Sequence, residues 1–342
     1  MQRFTEIPSI APPMLTTVLV LLSACARTPE SPASPEPSSS SDGWETVQTE
    51  DKPTGRHENA FTSINGHLYL LGGRGDRPVE RYNPGTNSWK QVADMPKEMH
   101  HFQARAHNGK IWVIGALTGN YPDEDPVPKI YTFDPSSNEW SVEAPIPEDR
   151  RRGAAGVALH DGVFYIVGGI QNGHVDGYVA WLDRYNPETG EWTRLPDAPH
   201  KRDHFQAGIV NGQLIAAGGR RTSADTGEVF QLTVPHTDVY DLESGEWTTA
   251  EANIPTKRAG TAATVYDGKL LVAGGESKKQ RNAHDEVEAF DPTTMEWTTW
   301  PSLNRGRHGT QLTVLNGRIH VAAGSGNRGG GPELTSLERF EK

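Results

Sequence analysis

The chain has 342 residues, 35% of them hydrophobic, and its 33 Lys plus Arg against 44 Asp plus Glu leave a net charge of −11. That balance argues against nucleic acid as a partner, since phosphate neutralisation needs net basic surface, and against broad contact with anionic lipid. With one cysteine, no disulfide within the chain is possible, so packing alone must carry its stability.

In chain order, residues 1–24 read as an export signal. Arg3 supplies positive charge, and residues 14–22 are an apolar run of nine with two threonines. Such a run is too short to span a bilayer and suits the apolar part of a signal peptide. Leu22-Ser23-Ala24-Cys25 resembles the bacterial lipobox, whose Cys is lipidated and becomes the mature N-terminus. By that resemblance Cys25 is the lipidation site, and Ala26 after it implies the outer membrane. From Cys25 to residue 42 the composition is Pro, Ser, Glu and Ala with no strand or helix period. Such a segment buries too little apolar surface to order itself, and its prolines hold it semi-extended. It reads as a tether to a domain over residues 43–342.

That domain is built from one repeated unit. Short runs rich in β-branched and aromatic residues, separated by turn residues, read as strands. The pairs Asn65-Gly66, Asn108-Gly109, Asp161-Gly162, Asn211-Gly212, Asp267-Gly268 and Asn316-Gly317 sit between such runs, a strong hairpin signal because both positions need positive φ. Seven residues after each pair begins come Gly72-Gly73, Gly115-Ala116, Gly168-Gly169, Gly218-Gly219, Gly274-Gly275 and Ala323-Gly324. An aromatic follows: Tyr82, Phe133, Tyr185, Tyr240, Phe290 and Phe340. Seven residues later five copies carry Trp89, Trp140, Trp192, Trp247 and Trp297, while the sixth runs out of chain and a spare Trp44 precedes the first copy. A repeat of about 50 residues with four strands makes propeller blades rather than a helical array.

The turn pair, double glycine, aromatic and Trp at fixed spacing resemble the kelch repeat, over about residues 43–342. The resemblance implies an all-β fold: a six-bladed kelch β-propeller of four-stranded antiparallel blades, the last blade closed by the N-terminal Trp44 strand. It is weak for function, because one fold hosts many.

Function must lie where the copies differ. Sixteen residues before each small pair stand Arg56, Met99, Arg152, Arg202, Arg258 and Arg307. The next slot holds His57, His100, Gly153, Asp203, Ala259 and His308, and the one after it Glu58, His101, Ala154, His204, Gly260 and Gly309. In kelch proteins these strand mouths and the loops after the double glycine line one end of the channel. Two readings of the five arginines stay open: satisfying carbonyls between blades, or binding an anion or sugar with planar donors. The histidines break the repeat's symmetry and are the better ligand candidates; binding is expected to tighten below about pH 6.5 as they charge. His160 and His320, in or beside strand runs, read as packing residues. The expected ligand-binding set is Arg56, His57, Glu58, His101, Arg152, Arg202, His204, Arg258, Arg307 and His308. The loops after the small pairs are a second candidate region, their charged residues being Arg74, Arg77, Arg220, Arg221, Asp225, Glu228, His236, Lys278, Lys279, Arg281 and Arg328; each taken singly reads first as a solvated charge.

Repeat register does not supply metal-ligand geometry, so neither a metal nor any other cofactor is expected, and no catalytic set is assigned. The expected function is a membrane-anchored, extracytoplasmic binding module, monomeric, holding a protein, peptide or glycan. The alternative is a sugar-processing enzyme of the mutarotase or epimerase type, with Glu58, His101 and Arg202 as candidate machinery. A copper-radical oxidase of the galactose oxidase type is set aside, because its cross-linked Cys has no counterpart beyond Cys25.

Overall fold

The computed structural model describes residues 43–224, 226 and 229–341. The leader, Cys25 and the tether lie outside the described residues, as do Asp225 and Glu228. Among the described residues no helix is long and apolar enough to cross a membrane.

Six four-stranded antiparallel sheets make a six-bladed propeller. Blade 3 shows the pattern. Gly156–His160, Val163–Val167, Leu182–Asn186 and Glu191–Leu195 pair in that order. The other blades follow the same order, with first strands Ala60–Ile64, Arg105–His107, Ala207–Val210, Ala262–Tyr266 and Leu312–Leu315. Each turn pair has positive φ at both residues, for example 50° and 75° at Asn65 and Gly66, so Asn or Asp followed by Gly sets the hairpin register. The second glycine of a small pair is required by close approach. A Cβ on Gly169 would stand 2.8 Å from the Gly153 carbonyl oxygen, and one on Gly324 2.8 Å from that of His308.

The core is distributed over the blade interfaces. Six of its clusters each draw on two neighbouring blades. Leu71 and Val79 pack with Ile111 and Phe133 between blades 1 and 2, and Leu271 and Val287 with Ile319 and Phe340 between blades 5 and 6. Each Trp lies on its blade's aromatic, with ring centroids 5.3 Å apart for Tyr82–Trp89 and 4.9 Å for Tyr185–Trp192. Several indoles also donate to the preceding blade, Trp140 to Asp94 O at 3.0 Å and Trp247 to Pro196 O at 2.8 Å.

Blade 6 closes the ring. Its outer strand is Gly43–Val47, antiparallel to Leu337–Glu341 with Trp44 opposite Phe340. Trp44 is buried, its ring 5.6 Å from Phe340, and its indole donates to Pro301 O at 2.9 Å. The displaced Trp therefore occupies the place that every other blade fills from its own repeat.

Two short hairpins project from the loops after the small pairs, Leu117–Thr118 with Asp125–Pro126 in blade 2, and Ile170–Asn172 with Asp176–Tyr178 in blade 3. They are absent from the repeat pattern, and they touch each other: His174 N donates to Pro122 O at 2.8 Å.

Two predictions follow from closure and burial. Deleting residues 43–49 removes Trp44, a loss of about 3–5 kcal/mol for a buried aromatic. At about 2–4 °C per kcal/mol, calorimetry should show melting lowered by about 6–20 °C; an unchanged melt would refute strand closure. His320, in the strand Arg318–Ala322, is buried, and its pKa falls to about 4, burial outweighing the bond to Arg318 O. It stays neutral in the fold while the unfolded chain protonates it near pH 6.5. Its contribution is present above pH 6.5 and is lost as pH falls toward 4. His320→Gln should therefore melt with a shallower pH dependence than wild type between pH 6.5 and 4.5; equal slopes would refute this.

Candidate functional site

The five arginines do not line the channel. Arg56, Arg152, Arg202, Arg258 and Arg307 are each at most 2% exposed. Each donates to the carbonyl of the first residue of its own small pair: Gly72, Gly168, Gly218, Gly274 and Ala323, at 2.5–3.1 Å. Each also pairs with a carboxylate two residues before its blade's aromatic: Glu80, Asp183, Asp238, Glu288 and Glu338. Their guanidinium groups are buried inside the blades on these partners, so the carbonyl-satisfying reading describes them and the ligand-binding assignment does not. The sugar-oxygen donor considered for a mutarotase, Arg202, is likewise held by Asp238 and is not in the channel. Blade 2 replaces both partners together: buried Met99 stands in the arginine slot and Tyr131 in the carboxylate slot, both in the apolar cluster between blades 1 and 2.

The slot two residues later does converge on the axis. Glu58, His101, Ala154, His204, Gly260 and Gly309 all have positive φ, from 50° to 65°. The mouths are irregular backbone outside the strands. A belt of backbone hydrogen bonds joins them. His101 N donates to Glu58 O, Ala154 N to His101 O, His204 N to Ala154 O, Gly260 N to His204 O, Gly309 N to Gly260 O and Asn59 N to Gly309 O, at 2.7–3.2 Å. The left-handed conformation costs a non-glycine residue about 1–2 kcal/mol. Gly309 is also dictated by space, since a Cβ there would fall 2.8 Å from the Glu58 carboxylate.

The belt lines a narrow channel that includes Glu58, His101 and His204. Beyond it opens a cavity of about 550 Å³, walled by Glu58, His308, His174, Glu276, Arg220 and Arg74, with His57, Tyr121 and Phe230 among its remaining lining. Glu58 lies between His101 Nε2 at 3.3 Å and His308 Nδ1 at 3.6 Å. Burial would raise its pKa, but the adjoining His308 holds it well below the usual carboxylate range. His308, whose burial alone would depress it, is pushed up to about 9 by Glu276 and Glu58. The His57 ring lies 6.3 Å from that of His308, and its Nδ1 is 2.9 Å from Glu333.

On the other side of Glu58 three histidines meet. One nitrogen from each of His101, His174 and His204 lies within 4.8 Å of those of the other two, and all three side chains are buried. This is the residue set of the site that could hold a metal. His204 Nδ1 bonds the Asp203 carboxylate, and His174 Nδ1 lies 3.0 Å from the Glu124 carboxylate, which Arg74 also engages. Burial pushes Asp203 upward against Arg220 and Thr222, while Thr222 N and Oγ1 donate to it at 2.9 and 2.7 Å. Burial, with neighbouring cations, holds His101 and His204 well below their ordinary pKa. They remain neutral near pH 6.5, so the expected tightening of binding as they charge does not follow.

Of the expected set, Glu58, His101, His204 and His308 come together, and His57 sits at the cavity. Sequence reasoning missed His174, Glu124 and Glu276. His174 and Glu124 belong to the hairpin loops of blades 3 and 2, outside the repeat register, and no spacing signal points to them. Glu276 follows Gly275 directly, and its bridge to Ala259 recurs in other blades as Asp203 to Arg220 and His308 to Ser325. That position is an extension of the register that could have been searched.

The fold and site can be set against known proteins. The family described as Attractin/LZTR1 beta-propeller matches residues 37–277, and the Kelch motif matches residues 257–304. Kelch-like protein terF of Aspergillus terreus is 30% identical over 288 residues, covering 79% of this chain and 61% of that protein. Human Kelch repeat and BTB domain-containing protein 12 is 27% identical, covering 62% of this chain and 36% of that protein. The chain thus spans less than two thirds of the length of these relatives. The solved structure of YjhT superposes with a TM-score of 0.71 at 14% identity, over 84% of this chain and 95% of that one, a likeness of fold.

The arginine geometry gives a further prediction. Arg258→Met leaves Glu288 buried beside an apolar group and should cost about 3–5 kcal/mol. Adding Glu288→Tyr copies blade 2 and should recover at least half of that loss in denaturant unfolding. A double variant as unstable as the sum of the two single changes would refute the pairing.

Proposed function

The chain belongs to the kelch-repeat β-propeller family, and from that premise we propose that it is a binding module displayed outside the cytoplasm. Cys25 anchors it by lipid to the outer membrane, and residues 26–42 tether a monomeric propeller whose ligand enters the cavity at the channel mouth. The observation that carries this reading is the cavity itself. The arginines of the repeat are turned into their blades, and the wall is made instead from residues specific to single blades and loops: Glu58, His308, Glu276, Arg220, Tyr121 and Phe230. Concave sites that combine an apolar face with a few converging polar groups are the usual form of a ligand pocket. About 550 Å³ suits one sugar residue, or one side chain or terminus of a peptide or protein partner. Loops on a rigid scaffold are where such recognition is commonly built.

The test uses the full chain expressed in a bacterial host. Cys25→Ala should move it from the membrane to the soluble fraction or leave it unprocessed; an unchanged membrane fraction would remove the anchor from the proposal. The purified chain is then screened by thermal shift against monosaccharides, amino acids and short peptides. Tyr121→Ala with Phe230→Ala should abolish any ligand-induced shift while leaving the unliganded melt within about 2 °C, as expected for changes outside the core. Shifts that persist in this double variant would place recognition elsewhere.

A further inference from the structure

The hydrogen-bond partners of the three clustered histidines determine which nitrogen of each ring carries a proton. Glu124 accepts from His174 N and is engaged by Arg74. Its carboxylate therefore accepts from His174 Nδ1, and in the neutral ring His174 Nε2 is left with a bare lone pair. Asp203 accepts from Thr222 N and Thr222 Oγ1, so His204 Nδ1 donates to it, leaving His204 Nε2 bare in the same way. For His101 the chain of reasoning is one ring longer. His100 Nε2 donates to Gly119 O at 3.0 Å, so His100 Nδ1 is an acceptor. His101 Nδ1, 2.7 Å away, donates to it, and the lone pair falls on His101 Nε2.

All three bare nitrogens meet other acceptors. His204 Nε2 and His174 Nε2 face each other at 3.1 Å. His101 Nε2 is buried with no hydrogen-bond partner, 3.3 Å from an oxygen of the Glu58 carboxylate. Buried lone pairs turned toward one another and toward an anion repel unless a cation lies among them. Two metal–nitrogen bonds of roughly 2.0–2.1 Å at a tetrahedral angle put their nitrogens about 3.3 Å apart, close to the 3.1 Å between His174 Nε2 and His204 Nε2. Histidine ligands whose far nitrogen donates to a carboxylate are the ordinary outer shell of such centres, and here two of the three have one.

We infer that His101, His174 and His204, with the Glu58 carboxylate, bind one divalent transition-metal ion. The site lies where the channel meets the cavity: His101 and His204 line the channel, His174 lines the cavity and Glu58 lines both. Imidazole donors favour zinc, copper, nickel or iron over magnesium or calcium. Glu124 and Asp203 act as positioning residues that fix the tautomers. The ion goes beyond the ligand-binding reading, which stands or falls on the thermal-shift screen whatever the metal result.

The experiment uses the full chain in detergent, without a histidine tag, stripped with chelator and titrated with Zn²⁺ and, as a spectroscopic probe, Co²⁺. One equivalent should be retained after desalting, and the Co²⁺ form should show visible d–d absorption. His174→Ala, in a hairpin turn outside the blade cores, should lose that band and the stoichiometric retention while melting like the stripped wild type. Glu124→Gln should weaken Zn²⁺ binding by about 10- to 100-fold. No retained metal in folded wild type, or retention unchanged in both variants, would overturn the inference. Should His174→Ala fail to fold, the Glu124→Gln affinity and the wild-type Co²⁺ spectrum decide the matter alone.

Discussion

Everything at the centre of this molecule depends on the belt of backbone hydrogen bonds that passes from blade to blade around the channel. Each bond needs the residue at the strand mouth to turn left-handed, and that turn aims the residue's side chain at the axis. Where nothing is wanted on the axis, the position is Gly260, Gly309 or the small Ala154. Where something is wanted, it is Glu58, His101 or His204, which accept the conformational cost. Strained backbone held in place by its surroundings tends to mark functional positions, and here the strained positions that carry polar groups are also those that gather.

Behind the belt, five of the six blades are fastened by a buried arginine between the carbonyl of the small pair and a carboxylate of the third strand. A buried ion pair is a poor source of net stability compared with apolar packing, yet losing one partner is costly. Blade 2 illustrates the first half of that rule. It exchanges arginine and acid together for Met99 and Tyr131 and keeps its place in the ring. The same blade has Ala116 in place of the second glycine, and it contributes His100, His101 and Glu124 around the histidine cluster. Relaxed repeat and site lie in the same blade.

The fold was legible because it is written in local rules repeated in register. Asn-Gly and Asp-Gly turns, paired small residues and an aromatic seven before a Trp each have one conformational meaning, and the displaced Trp44 announced where the ring closes. The arginines were legible as a register but not as a role. Their partners were in view all along, as an acid two before each aromatic, Glu80, Asp183, Asp238, Glu288 and Glu338, and as Tyr131 exactly where Met99 removes the need. The site was half legible. Glu58, His101, His204 and His308 share the mouth register, but His174 and Glu124 come from hairpins whose length and path no period encodes. Burial, which holds His101 and His204 neutral, is a property of the closed ring and not of any one segment.

Closure has one more consequence. Gly43 and Glu341 face each other as paired residues at one edge of blade 6, so the described chain enters and leaves the ring side by side. The belt and the blade interfaces do not register where the covalent chain is cut. A circular permutant, its ends joined by a short linker and reopened at the exposed Asn65-Gly66 turn, would contain the same blades, the same belt and the same inward-facing Glu58, His101 and His204. The seam belongs to the polymer, while the architecture it forms is a circle without an origin.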